Sequence, residues 1–200
     1  MPDTSTLSPD VYIRGDTGAM RQVDASGNDH PVNGWLGGVV YRNVARSAVH
    51  SNTTTEAAFD TKYSIPANTL KAGNVIKVRF QGIATSTNAT DTLLIKLYIG
   101  GITGTALLTG TATDVANDNI FAGECTIIIR TIGATGTFVS VGTLTNVPAA
   151  SGTAVHDITE ITASTTIDTT AAQEISVGAD WSVAHADNDA YLDIMVVEIY

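Results

Sequence analysis

An all-β fold, a sandwich or a barrel, is what the sequence predicts, and three observations predict it. Thirty of the 200 residues are threonine. Like valine and isoleucine, threonine loses rotamer freedom in helices and packs well on pleated surfaces. From residue 56 onward, apolar and polar residues alternate with period two in runs broken by Gly, Asn and Pro turns. No stretch carries a convincing helical period, so the crossover helices that a parallel sheet requires are missing.

The elements follow in order. In residues 1–55, Gly15, Gly18, Gly27, Gly34, Gly37 and Gly38, with Pro2, Pro9 and Pro31, interrupt any period. The apolar pieces Val11-Tyr12-Ile13 and Val39-Val40-Tyr41 are too short to build a core alone, so this stretch reads as an extended, irregular N-terminal arm that orders against another surface. Residues 56–200 read as one β domain. Phe59–Ile65 alternates and stops at Pro66; the Lys71–Asn74 turn leads into Val75–Phe80; Thr92–Ile99 ends at Gly100-Gly101. Thr105–Thr111 is a short fourth strand. Ile120–Ile132 is nearly continuous in apolar character around Thr126–Arg130, as a strand covered on both faces would be. Thr137–Leu144, Glu174–Val183 and Tyr191–Tyr200 complete the set. Residues 153–170 are Thr-rich and ambiguous, with Val155, Ile158, Ile161 and Ile167 as apolar points.

The net charge of −10 is unevenly placed. Residues 1–100 hold nine Lys/Arg and eight Asp/Glu, whereas residues 101–200 hold Arg130 against twelve acids. Phosphate contacts need clustered cations, so nucleic acid and anionic membranes are excluded as partners of the second half. The bases of the first half form no run; they serve surface solubility or complement an acidic protein partner. No run of apolar residues is long enough to span a membrane, and MPDTSTLSPD lacks the basic and apolar parts of a signal peptide, so synthesis in the cytoplasm is expected.

Motifs that carry chemistry are few. The single cysteine, Cys125, forms no internal disulfide and reads as a small buried hydrophobe. Arg14-Gly15-Asp16 reads as a turn, and Asn52-Thr53-Thr54 and Asn88-Ala89-Thr90 as polar turns. The clusters Asp114/Asn117/Asp118/Asn119 and Asp187/Asn188/Asp189 lack the spacing of a calcium loop and read as Asx turns. His30, His50, His156 and His185 have no metal-ligand spacing, and no G-x-S-x-G turn is present. Asp157 and Glu160 are the one carboxylate pair a glycan-active enzyme could use. The parity of Trp181 matches Ile175, Val177, Ala179 and Val183, a core position. Trp35, among glycines, is the anchor expected in a protein–protein contact. With Val11, Tyr12, Ile13 and Tyr41 it makes up the candidate interface. No catalytic residue, cofactor or metal site is expected.

The segment Phe59–Val78, with its I-P-A-N-T-L strand end and K-A-G-N turn, resembles a phrase common in virion proteins of tailed bacteriophages. That resemblance implies a β-sandwich of jelly-roll type and a head decoration (cement) protein or a fibre domain, commonly trimeric. The expectation is therefore a non-enzymatic capsid decoration protein on the virion surface, with the major capsid protein and its own copies in a homotrimer as partners and no small-molecule substrate. Two rivals stand beside it: a receptor- or glycan-binding tail-fibre or head-fibre domain, and a carbohydrate-binding module or glycan-active enzyme.

Overall fold

A computed structural model describes residues 11–13, 20–23, 29–31, 38–88, 90–116, 118–147 and 153–200. Every regular element among them is a strand. The strands β1 (Val11–Ile13), β2 (Met20–Val23) and β3 (Asp29–Pro31) form a small antiparallel sheet of their own. Twelve more follow: β4 (Gly38–Arg42), β5 (His50–Ser51), β6 (Ala57–Ile65), β7 (Val75–Thr85), β8 (Thr92–Ile99), β9 (Thr105–Thr109), β10 (Thr113–Asp114), β11 (Asn119–Thr131), β12 (Gly136–Val147), β13 (Val155–Ile167), β14 (Gln173–Trp181) and β15 (Asp189–Ile199).

Two antiparallel sheets form the sandwich. One runs β13-β12-β11-β7-β15-β4, with β5 also on β15; the other runs β10-β8-β14-β6, with β9 also on β8. In the first sheet β15 lies between β4 and β7, with β11 beyond; in the second, β14 lies between β6 and β8, with β9 beyond. From β5 to β8 and again from β13 to β15 the chain crosses between the sheets at every step, and its late strands insert between early ones. That order is a jelly roll, two Greek keys wound together. It carries one addition: β12 and β13 extend the first sheet as a hairpin, making seven strands face five.

Period-two alternation explains why these segments pair as they do. In β7, β12 and β14 one parity is buried throughout and fills the space between the sheets with Ile76, Val78, Phe80, Phe138, Leu144, Ile175 and Val177. Each such side chain contributes about 1.5–3 kcal/mol relative to exposure. Trp181 is 1% exposed, and its indole N–H donates to the His50 carbonyl at 3.3 Å. Two glycines sit opposite aromatic rings in the core. Gly82 faces Phe121 and Gly123 faces Phe80 in the β7–β11 register. A Cβ at Gly82 would come within 2.2 Å of the Phe121 ring and of the Tyr191 carbonyl, and one at Gly123 within 2.4 Å of the Phe80 ring. Each ring thus lies across its partner strand, a close approach only glycine permits.

Two sequence expectations need correction. The stretch 1–55 is not all arm, because β4 and β5 pair with β15 inside the seven-stranded sheet. These pieces are short, and their order comes from a partner some 150 residues later that no local pattern announces. Folding also brings three bases of the first half to acids of the second. Arg46–Asp193, Lys62–Glu174 and Arg79–Glu198 each join a base of the first half to an acid of the second. For these bases the acidic partner is the chain's own second half.

Candidate functional site

Of the expected contact residues, Val11, Tyr12 and Ile13 form β1, but their side chains lie outside the described residues, as does Trp35. Tyr41 is half-buried in β4, and its ring stacks on Tyr63 of β6 with centroids 5.5 Å apart. It therefore ties the two sheets together along one side of the sandwich. Burial and the nearby Asp60 carboxylate raise its phenol above the ordinary tyrosine pKa. Beside it, the Ala48 N–H donates to Asp60 Oδ1 at 2.9 Å, closing the same side.

The outer face of the five-stranded sheet carries one built polar cluster. Lys96 and Tyr98 alternate outward from β8, and both reach Glu56: Lys96 Nζ donates to Oε2 at 2.8 Å and the Tyr98 hydroxyl to Oε1 at 2.5 Å. Gly178 makes room for the carboxylate, since a Cβ there would stand 3.0 Å from Glu56 Oε1 and 3.1 Å from the Tyr98 ring. The hydrogen bond it donates to Glu56 holds the Lys96 ammonium above its usual pKa, and burial raises the Tyr98 phenol. All three groups satisfy one another, so the cluster is a rigid polar spot.

At one end of the sandwich, the loop after β7 and the loop before β15 meet in a buried knot. Asp91 and Asn188 are both 0% exposed. Asp91 accepts from Asn88 Nδ2 at 3.1 Å and from Asn188 Nδ2 at 2.9 Å; Asn188 accepts from Ser86 Oγ at 2.7 Å and donates to the Val183 carbonyl at 3.0 Å. A buried carboxylate is tolerated when amide donors meet it. The Asp187/Asn188/Asp189 segment thus works as a clamp between two loops, where the sequence predicts only local Asx turns.

The outer face of the seven-stranded sheet is broad and open. Cross-strand register places Ile158, Thr143, Glu124, Arg79 and Val196 in one row, and Glu160, Val141, Thr126, Lys77 and Glu198 in the next. Val141, Ile120, Ile158 and Ile194 stand exposed on this face. Its middle holds a depression of about 350 Å³, lined in part by Lys77, Arg79, Glu124, Glu198 and Tyr200. Opposite charges are matched across the strands there, Arg79 with Glu124 on one side and Lys77 with Glu198 on the other.

The carboxylate pair does not assemble. Asp157 and Glu160 lie three residues apart on β13 and so point to opposite faces. Asp157 turns inward and accepts from the Thr111 N–H at 2.7 Å and hydroxyl at 2.8 Å, while Glu160 belongs to the outer face. They cannot flank one substrate. Cys125 is buried, and that burial pushes its thiol up to about 12. Among the described residues no three His, Cys, Asp or Glu side chains gather as a metal site would require.

No known protein family and no curated protein matches the sequence. Among solved structures, lectin I from Ulex europaeus, in complex with the methyl glycoside of α-L-fucose, aligns at 10% identity and a TM-score of 0.37, covering 96% of this chain and 90% of that one. The CBM2 module of the evolved Dit of Lactobacillus casei BL23 phage J-1 aligns at 8% identity and 0.35, covering 68% and 67%. A chain of infectious bursal disease virus, Gt strain, aligns at 12% identity and 0.34, covering all of this chain and 41% of that one. At such scores the jelly-roll assignment rests on the strand order itself.

Proposed function

We propose that this chain is a non-enzymatic virion structural protein, a capsid decoration protein that stabilises a phage head through contacts with the major capsid protein and with its own copies in a homotrimer. The observation that carries this reading is the outer face of the seven-stranded sheet. Val141 and Ile158 are exposed diagonal neighbours there, with Ile120 and Ile194 exposed elsewhere on the same face among matched charges, and a broad face that mixes exposed apolar side chains with paired charges suits contact with other proteins. The phrase Phe59–Val78 supports it as well: β6 ends at Ile65, the turn follows, and β7 begins at Val75, the strand order that the resemblance to phage virion proteins implies. Small contacts repeated over a shell then sum through multivalency. Val11, Tyr12, Ile13 and Trp35 are the proposed reach toward neighbouring subunits. The decisive experiment compares particles with and without this protein under heat and osmotic shock. Loss of particle stability with host attachment intact is the expected result; unchanged stability would overturn the reading.

A glycan-binding fibre domain is the second reading, and the Glu56–Lys96–Tyr98 cluster favours it, because the part-exposed Lys96 ammonium and Glu56 carboxylate, fixed by the buried Tyr98, present oriented polar groups of the kind that suit sugar hydroxyls. Binding of purified protein to a glycan panel, lost on Glu56→Ala, would support that reading over the first.

A further inference from the structure

We infer that β13 is a docking edge for a second copy of this chain, pairing antiparallel with its own counterpart about a two-fold axis at Ile158. The inference is independent of the capsid reading. β13 is thirteen residues long and closes the seven-stranded sheet on one side. One edge pairs with β12; the other meets no strand among the described residues. A free edge presents a row of backbone donors and acceptors, and proteins usually blunt it with proline, charged side chains, inward-pointing charges or a bulge. Residues 155–161 contain neither proline nor lysine, their inward charge, Asp157, is bonded by Thr111 of the same chain, and their pairing with β12 runs without a register break from Val155 to Ile161. The bulge comes only beyond that, opposite Phe138 and Ser140.

The sequence of this segment, Val-His-Asp-Ile-Thr-Glu-Ile, is complementary to itself when reversed about Ile158. Antiparallel pairing sets residues directly opposite one another on the same face. With Ile158 on the axis, Val155 meets Ile161 of the second copy, His156 meets Glu160, and Asp157 meets Thr159. Both apolar ends match, a ring N–H donor faces a carboxylate, and no acid stands opposite an acid. Thr145 already holds His156 Nδ1 at 3.0 Å, leaving Nε2 for the opposing Glu160. Inward, Asp157 and Thr159 are anchored on Thr111 and Thr109 of their own chain, so the segment is held straight before a partner arrives. Ile158, 75% exposed, would be covered by its twin. A one-residue slip would set side chains of the wrong face together, so the register is specified. The contact is isologous and separate from any three-fold contact of a trimer.

The test uses the full chain alone in solution. Ile158→Cys places two thiols on the axis with Cα atoms about 4.5–5.5 Å apart, within disulfide reach. Glu160→Cys places them about 13 Å apart along the strands, and the buried Cys125 does not compete. Mild oxidation is expected to link Ile158→Cys into a covalent dimer at least about tenfold faster than Glu160→Cys. In sedimentation, His156→Glu is expected to weaken dimerisation by about tenfold. The double exchange His156→Glu with Glu160→His is expected to restore it, since each Glu again faces a His. An unaltered chain that stays monomeric, equal crosslinking of the two cysteine variants, or a double exchange that fails to restore association would overturn the inference.

Discussion

Replacing Asn188 by alanine strikes the buried knot between the loops after β7 and before β15. The side chain makes three bonds there: it accepts from Ser86 and donates to Asp91 and to the Val183 carbonyl. Alanine removes all three and leaves Asp91 Oδ2 with no replacement donor at a residue 0% exposed. A buried neutral group left unsatisfied costs about 1–3 kcal/mol, and a charged one more. Allowing for partial relaxation, the expected loss is about 3–5 kcal/mol, which for a domain of this size lowers Tm by about 10 °C. Urea unfolding followed by far-UV circular dichroism, with the slope unchanged, measures it. Asn188→Asp provides a control of different sign with pH. It sets a second carboxylate against Asp91, so it is expected to be as damaging at neutral pH and to recover part of its stability on acidification. A loss below about 1 kcal/mol for Asn188→Ala would show that water takes over the three bonds and that the knot does not hold this end of the fold.

Two further predictions concern titrating groups in the core. Burial raises the Cys125 thiol to about 12, so thiolate is scarce at pH 8 and a disulfide reagent should label Cys125 only at the rate of unfolding; rapid labelling of the folded protein would refute its burial. Burial lowers the His50 pKa in the folded state from 6.5, opposed in part by Asp180. Above pH 6.5 the ring is neutral folded or unfolded and costs nothing. As pH falls below 6.5 the unfolded chain takes up a proton that the folded one refuses, and stability declines toward the lowered folded pKa. Urea midpoints compared at about pH 7.5 and about pH 5.5 should converge in His50→Gln, and an unaltered pH dependence in that variant would exclude His50 as the source.

What could be read in advance was whatever burial writes into the alternation of a strand. Thr92–Ile99 matches β8, and Phe59–Ile65, Val75–Phe80 and Thr137–Leu144 fall inside β6, β7 and β12. Trp181 sits in the core where its parity put it, and Cys125 is the small buried hydrophobe expected. β13 escaped because it is an edge strand: only Ile167 is fully buried, and its Thr and Ser positions alternate between half-buried and exposed. β4 escaped for the opposite reason, since its order is borrowed from β15. The Glu56–Lys96–Tyr98 cluster joins residues forty apart across a glycine in a third strand, and the Asp91–Asn188 knot spans nearly half the chain. The adjacency of Asp157 and Glu160 suggested a pair that period-two geometry had already separated.

The winding order has a cost during synthesis. β7 has both of its sheet neighbours, β11 and β15, later in the chain, and β6 has its neighbour β14 more than 100 residues later. A nascent chain emerging from the ribosome therefore exposes apolar strands with no hydrogen-bonding partner until most of it has been translated. Closing such distant pairs is slow, and unpaired strands are prone to stick to one another. Yield in cells should accordingly depend on translation speed and on holding chaperones more than on the stability of the finished sandwich.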